Sequence, residues 1–311
     1  MSFAASMLIA MAIDAVIGWP DALYRRIGHP VTWIGALISG LEARLNQGGA
    51  RRAKGVLTAL VVIGLTGGLA ALVLALLPGG WVGTLIAGVL AWPLVAIRSM
   101  HQHVAAVVRP LAAGDLEGAR YAVSMIVGRD PSTLDEAGVA RAAVESLAEN
   151  TSDGIVAPLF WGAVAGLPGI AAYKAINTLD SMIGHRNERY ELFGWASARI
   201  DDLVNLAPAR LTGALFALCS PRPGAAFRTM AKDARHHRSP NAGWPEAAMA
   251  GALGIRLSGP RVYGDRVAQE PWVNAGAPDP EPQDLARGLG LYRRSMLVLA
   301  LPLAILAVFG W

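Results

Sequence analysis

Long, continuous apolar runs are the feature that most constrains the fold of this chain. Two of them, Val56 to Leu77 and Val82 to Ile97, approach the roughly 20 residues that a helix needs to cross a membrane. The turn Pro78–Trp81 between them predicts a tight helical hairpin. The runs do not alternate apolar with polar residues, so the spans should be helices and not the strands of a barrel. The chain is 54% hydrophobic and 16% charged, which predicts an all-α, polytopic integral membrane protein.

Four weaker apolar segments bring the predicted total to about five to six. Phe3–Val16 lacks a basic leader and a small-residue cleavage site, so it is predicted to be a retained helix. Ile155–Ala172 and Leu203–Cys219 are interrupted by proline and by glycine or polar residues, which is typical of cavity walls and re-entrant helices. Met296–Phe309 is predicted to be a last span.

The distribution of arginine predicts the orientation. The loop from Arg25 to Lys54 is short and basic, so it should stay in the cytoplasm and leave the N-terminus outside. We predict a single integral membrane domain over residues 1–311, with cytoplasmic segments at approximately 98–154, 173–202 and 220–294. The net charge of +4 is too small to indicate nucleic acid, so membrane lipid is the expected surrounding.

The first group of polar residues precedes a broken apolar run. Ser132–Glu136 offers hydroxyl caps with acidic partners, which predicts the start of a helix. A turn at Glu149–Gly154 should end that helix, and Arg141 with Glu145 should form an ion pair on its surface. A carboxylate such as Asp153 at the mouth of a membrane segment is costly unless a cation or a cavity receives it.

The second group follows the same apolar run. If Tyr173–Gly184 is helical, polar and apolar residues separate onto two stripes. The polar stripe holds Lys174, Asn177, Asp180 or Ser181, and Gly184, and the apolar stripe holds Ile176, Leu179 and Ile183. Asp201, Asp202 and Asn205 then enter the next apolar run, and such oxygen ligands suit Mg²⁺. The alternative is that Asp201 or Asp202 caps a helix, but three acidic clusters beside broken runs favour a site.

A short Ala-rich segment lies later in the chain. Glu246 to Leu257 is too short to span the membrane and carries few charges. We predict a helix there that packs against the bundle as a cover.

The polar segments also resemble, in order, the motifs of a known family. The matching segments are Ala119–Tyr121, Val127–Asp130, Ala143–Gly154, Tyr173–Gly184, Ala198–Asp202 and Ser239–Pro245, with Asp14, Gly18, Pro20, His29 and Pro30 near the start. They are similar to those of adenosylcobinamide-phosphate synthases, membrane enzymes of cobalamin biosynthesis. Two positions depart from the family pattern, Pro131 where threonine is common and His185 where tyrosine is common.

The resemblance implies an amide-forming ligase. Its corrinoid substrate would be adenosylcobyric acid, its amine substrate aminopropanol or aminopropanol O-phosphate, and it would consume ATP with Mg²⁺. A carboxylate must first acquire a leaving group, so ATP should convert it to an acyl phosphate or an adenylate before the amine attacks. The resemblance further implies a place in the inner membrane, an active site facing the cytoplasm, and association with other membrane enzymes of the pathway.

Roles can be assigned to the matching residues on that basis. Glu149 or Asp153 would deprotonate the amine, and Lys174, counted with them as catalytic, would bind the transferring phosphate together with Arg129. The remaining assignments are Asp180, Asp201, Asp202 and Asn205 to the metal, and Arg120, Asn150, Asn177, Ser181 and Arg199 to substrate and phosphate. Two other classes stay open: a Mg²⁺-dependent membrane prenyl-diphosphate transferase, which the same acidic helix ends would serve, and a non-enzymatic sensor or transporter.

Overall fold

The fold is that of a computed structural model, which describes all residues except Arg129, Gly264 and Asp265, and the side chains of 261–268 are also outside the description. The α-helices are α1 Phe3–Ile17, α2 Asp21–Ile27, α3 Pro30–Leu45, α4 Arg51–Leu76, α5 Gly80–Ala91, α6 Ile97–Ala112, α7 Leu116–Ser124, α8 Glu136–Thr151, α9 Ala157–Ile183, α10 Trp195–Val204, α11 Leu206–Cys219, α12 Pro223–Asp233, α13 Gly243–Leu253 and α14 Pro282–Val308. A π-helical turn, Ser152–Val156, joins α8 to α9, and 3₁₀ turns occupy Trp92–Leu94 and Ala234–His236.

The chain forms two compact units. The first comprises Met1–Ala96, Ala157–Asn205 and Ala300–Trp311, and the second comprises Ile97–Val156 and Leu206–Leu299. The prediction of one domain with three cytoplasmic segments is not tested by this division and stays a prediction.

The core of the first unit lies among α3, α4, α9 and α10. Ile38, Val62 and Leu179 are fully shielded from solvent there, with Phe193 from the segment before α10. Helix α1 approaches α5 closely, because a Cβ on Gly88 would lie 2.7 Å from the side chain of Ile9. Small residues at such crossings let helix backbones come near each other, which is how membrane helices associate.

Helix α9 is broken in its first half. Ala165 and Gly166 have non-helical dihedral angles, and the φ of +65° at Gly166 is one that a residue with a side chain rarely adopts. Pro168 follows directly and cannot continue an unbroken hydrogen-bond ladder. The predicted interruption of this apolar run is therefore confirmed, and whether the run is re-entrant stays a prediction.

The second unit is built around α13. Gly243 and all residues from Pro245 to Leu253 are buried, and a Cβ on Gly251 would lie 2.8 Å from the backbone of Ala225 in α12. Two small antiparallel sheets follow: β1 Leu257–Ser258 pairs with β4 Trp272–Val273, and β2 Arg261–Tyr263 pairs with β3 Arg266–Ala268. The predicted short helix exists, but it begins at Gly243 and ends at Leu253, and Leu257 lies in β1. Its role as a cover stays a prediction.

Four helical segments among the described residues are long and apolar enough to cross a membrane. They are Arg51–Leu76, Gly80–Ala112, Glu136–Ile183 and Pro282–Val308. The number rises to five if Phe3–Ile17 and Asp21–Leu45, which meet at 112°, form one broken span. The helical content and these spans confirm the predicted all-α, polytopic membrane fold.

Three local predictions are corrected by the structure. Helix α8 begins at Glu136, because Asp135 caps it by accepting from the Gly138 amide, whereas the Ser132 hydroxyl donates to Asp130. The predicted turn after α8 is instead the π-helical turn. The predicted surface setting of Arg141 and Glu145 is wrong: Glu145 is only 6% exposed and accepts from the backbone N–H of Ser258 at 2.7 Å, and Arg141 contacts Asp279.

Candidate functional site

The polar stripe of α9 is the centre of the candidate site. Its apolar stripe, Ile176, Leu179 and Ile183, is buried as predicted, while Lys174, Asn177 and Asp180 are half-buried and Ser181 is exposed. The Ser181 hydroxyl donates to the Asn177 carbonyl at 2.8 Å, one turn back in the helix. The helical period alone therefore separated the apolar and polar faces of α9 correctly, and the assignment of a function to the polar face stays a prediction.

The Asp180 carboxylate of α9 and the Asp202 carboxylate of α10 lie within electrostatic range of each other, and the His185 ring is within electrostatic range of Asp180 as well. On the other side, Arg199 donates to Asp202 at 3.1 Å. Two like charges held near each other repel, and a bound cation is the usual way in which proteins offset that repulsion.

Asp201 and Asn205 lie in a different network. The Asn205 amide donates to Asp201 at 3.0 Å, and the Asn205 carbonyl oxygen accepts from the Tyr173 hydroxyl at 2.9 Å. Asn205 is 1% exposed and Tyr173 is 1% exposed, so this chain of hydrogen bonds docks the end of α10 against α9. The structure thus separates these two predicted metal ligands from Asp180 and Asp202, and their assignment to a metal stays a prediction.

Lys174 lies within electrostatic range of His29, one of the N-terminal residues that match the family motifs. Its ammonium group interacts electrostatically with His29, whose ring packs edge-on against Trp19 at 5.0 Å between centroids. His29 also begins α3, since its Nδ1 accepts from the Val31 amide and Thr32 returns a hydrogen bond to it. Sequence reasoning did not include His29 among the candidate site residues, because a separation of 145 positions in the chain hides its electrostatic interaction with Lys174.

The remaining predicted residues belong to the second unit. Glu149 is exposed at the end of α8, and Asp153 is half-buried in the π-helical turn, a feature that occurs often at functional sites. Asn150 uses its amide to bind Ser146, donating at 2.9 Å to the carbonyl and at 3.1 Å to the hydroxyl. Arg120 donates to the Leu134 carbonyl at 2.8 Å, which ties α7 to the segment before α8. Arg129 lies outside the described residues.

Buried acidic groups of the second unit also escaped prediction. Asp233 is 4% exposed and accepts from the Asn274 amide at 2.7 Å, while Glu246 is 2% exposed and faces His237 at 3.7 Å. Both lie in runs that read as ordinary helix in sequence. The one signal in the sequence that could have indicated them is their position on either side of Ser239–Pro245, a segment that matches the family motifs.

Asp279 is held by two guanidinium groups in the second unit. Arg256 donates to both of its oxygens, at 2.9 and 2.6 Å, and Arg141 contacts the same carboxylate. The hydrogen bonds from Arg256 hold the pKa of Asp279 below its usual range, and the charge of Arg141 adds to the effect. Because the folded pKa is the lower one, the stabilisation is present above the unfolded value of 3.8 and is lost as the pH falls through the folded value.

We therefore expect Asp279→Asn to reduce the loss of stability on acidification. The melting temperature of the purified protein, measured from about pH 5 to about pH 3, should fall less steeply in this variant than in the wild type. The exposed Asp21→Asn serves as the control and should follow the wild type. Parallel curves for all three proteins would show that Asp279 is not a source of the pH dependence.

Groups of three or more histidine, cysteine, aspartate or glutamate side chains gathered as for a metal ion are absent from the described part of the chain. The pair Asp180 and Asp202 is a smaller set. It still fits Mg²⁺, which takes one or two carboxylates and completes its shell with water and substrate phosphate.

Comparison with known proteins extends these observations. Residues 7–292 match the family model described as CobD/Cbib protein. The cobalamin biosynthesis protein CobD of Rhodobacter capsulatus is 71% identical over 309 residues, which cover 99% of this chain and 98% of the relative. Proteins of the same name from a Sinorhizobium species and from Brucella suis are 47% and 46% identical, over 94% of this chain and 95% and 93% of theirs. No solved structure matches.

Helices long enough to span a bilayer, with a polar stripe along α9, define a polytopic α-helical membrane protein. The match over residues 7–292 and the relatives aligned along nearly their full length show that the chain belongs to the CobD/CbiB family of cobalamin biosynthesis proteins.

Proposed function

We propose that this protein is an adenosylcobinamide-phosphate synthase. It would join the carboxylate of adenosylcobyric acid to the amine of aminopropanol, or of aminopropanol O-phosphate, in an amide bond. Family membership supports a role in the pathway, and the observation that carries the chemistry is the approach of Asp180 to Asp202, with Arg199 beside Asp202 and Lys174 on the same stripe of α9.

Amide formation from a carboxylate needs two bond exchanges. In the first, a carboxylate oxygen attacks ATP, giving an acyl phosphate and ADP, or an acyl adenylate and pyrophosphate. In the second, the amine nitrogen attacks the acyl carbon, phosphate or AMP leaves, and the nitrogen loses a proton. The protein must therefore neutralise a polyanion, orient the carboxylate and accept that proton.

The residues of α9 and α10 suit the first exchange. Asp180 and Asp202 would hold Mg²⁺, which when bound would offset the charge on the ATP phosphates. Lys174 and Arg199 would bind phosphate oxygens directly, Arg199 with the planar donor geometry that phosphate favours. Tyr173, Asn205 and Asp201 would act as positioning residues, because their hydrogen bonds hold α10 against α9.

The second exchange needs a base. Glu149 or Asp153 would accept the proton from the amine, and the two differ in setting, since Glu149 is exposed and Asp153 is half-buried. Asp153 lies in the π-helical turn, a feature that occurs often at functional sites, and we therefore favour it for this role.

Complementation of a bacterial strain that lacks its own synthase tests the proposal. The strain carrying this protein should grow when cobyric acid is the corrinoid supplied, whereas the empty vector should support growth only on cobinamide. Membranes from the complemented strain should form the amide from adenosylcobyric acid and ATP when aminopropanol or aminopropanol O-phosphate is supplied as the amine. Transfer of label from an isoprenoid diphosphate, without amide formation, would overturn the proposal in favour of a prenyl transferase.

The orientation proposed for the site is testable by labelling. ATP and the corrinoid are cytoplasmic, so the exposed loop between α9 and α10, which contains Asn187, should face the cytoplasm. With Cys219→Ala as background, Asn187→Cys should react in intact cells only with a membrane-permeant maleimide. Modification by an impermeant reagent added outside would contradict a cytoplasmic site.

A further inference from the structure

A polar cavity of about 470 Å³ lies in the first unit, where α3 ends and α4 begins. Its lining residues are Glu42, Ala43, Asn46, Gln47, Gly48, Arg51 and Arg189. None of them belongs to the Asp180 and Asp202 pair or to the networks around it. The role proposed above for the protein thus leaves this cavity without a function.

The cavity is built by hydrogen bonds between side chains. Arg189 donates to both oxygens of Glu42, at 3.1 and 3.0 Å, and Asn46 donates to Glu42 at 3.0 Å. Arg51 donates to the side-chain oxygen of Asn46 at 2.8 Å, and its other nitrogens reach the backbone carbonyls of Glu188 and Arg189. The two guanidinium groups are therefore held in place before any ligand arrives.

The charge of the cavity favours an anion. Two guanidinium groups and one carboxylate line it, and the Lys54 ammonium binds the Gln47 carbonyl at 2.8 Å at its edge. Gly48 and Ala50 have φ of +61° and +58°, which bends the loop around the cavity before α4 starts. Because several of their N–H groups are already bonded to Glu42, Asn46 and backbone carbonyls, the two guanidinium groups would attract a phosphate mainly through the net positive charge of the lining.

The position of the cavity at the start of α4 indicates that the anion comes from the membrane. Helix α4 has a mean hydropathy of 2.5 and is the most exposed of the candidate spans, with only 11% of its apolar window buried. Leu57, Leu60 and Leu72 are more than half exposed along it, so this helix faces lipid directly. The cavity begins at Arg51, the first residue of that helix, which places it at the level of the lipid headgroups.

We propose that this cavity binds the phosphate of an anionic phospholipid headgroup, whose acyl chains lie along α4. Basic pockets at the cytoplasmic ends of membrane helices recognise such lipids, and each basic residue near the surface contributes about 1 kcal/mol. The proposal depends on the membrane fold and on the cavity, and is independent of the proposed ligase activity.

Lipid binding to the purified full-length protein tests the proposal. Mixed micelles with phosphatidylglycerol should raise the melting temperature more than micelles with phosphatidylcholine, and native mass spectrometry should detect retained phosphatidylglycerol. Arg51→Gln and Arg189→Gln should each weaken the apparent affinity for phosphatidylglycerol about fivefold, which corresponds to the loss of one basic residue near the surface. Arg44→Gln removes an exposed charge at the same end of α3 that does not line the cavity. It is the matched control for general surface attraction and should weaken binding less than either cavity variant.

Other outcomes would overturn the proposal. Equal responses to the two lipids, or equal losses in Arg51→Gln and Arg44→Gln, would show that binding is not specific to the cavity. Saturation by inorganic phosphate, with no further effect of phosphatidylglycerol, would assign the cavity to a soluble phosphate and not to lipid. If Arg51→Gln does not fold, the comparison of Arg189→Gln with Arg44→Gln decides the question.

Discussion

Asp202→Asn should abolish amide formation, by more than about 100-fold, and leave the protein folded in the membrane. Loss of even an indirect partner of a bound metal costs roughly 10- to 100-fold, and a direct ligand should cost more. Asp180→Asn should have the same effect, because the two carboxylates approach each other and would share the cation. The rate of amide formation by membranes containing each variant, at equal protein level, measures the loss.

The alternative for Asp202 is a purely structural ion pair. It accepts from Arg199 at 3.1 Å, but that pair is partly exposed, with side-chain exposures of 50% and 27%. Such pairs contribute only about 0–1 kcal/mol, so asparagine would then preserve activity. Glu191→Gln, in the exposed loop before α10, removes one carboxylate without touching the pair and should retain full activity. Full activity in both Asp180→Asn and Asp202→Asn would remove the metal-site hypothesis.

Gly55→Ala should strongly destabilise the first unit. Gly55 is buried in α4, and a Cβ there would lie 1.8 Å from the carbonyl oxygen of Phe193. The Phe193 carbonyl belongs to the backbone and cannot rotate away from the added methyl group as a side chain could. Helix α4 would therefore have to move away from Phe193. Overpacking of this kind costs about 1–3 kcal/mol, and the unyielding contact places this variant at the upper end.

A second glycine of the same helix gives the matched control. Gly68 has nothing within 4 Å of its ideal Cβ, so Gly68→Ala adds no clash and gains about 1 kcal/mol of helix propensity. Its melting temperature in detergent should equal or exceed that of the wild type, while that of Gly55→Ala falls. Equal melting temperatures for the two variants would contradict the close packing of α4 against Phe193.

The sequence alone determined where the apolar helices lie and which face of α9 is polar. The predicted span Val56 to Leu77 corresponds to Arg51–Leu76, since a run of that length can satisfy its backbone in lipid only as a helix. The stripe from Lys174 to Ser181 followed from the helical period, which depends on local geometry and not on neighbours. These features are local, so their evidence lies within one segment of the chain.

The interaction partners of these side chains were decided by the tertiary structure. Asp201 and Asp202 are adjacent in sequence, but successive residues on a helix point about 100° apart. Asp201 therefore accepts from Asn205, whereas Asp202 pairs with Arg199 and lies within electrostatic range of Asp180. Likewise the polar segment Glu149–Gly154 predicted a turn that ends α8, whereas the structure has a π-helical turn, Ser152–Val156, between α8 and α9. The helical periodicity of the sequence predicts on which face of a helix a side chain lies. Only the packing of distant segments decides which residues that face contacts.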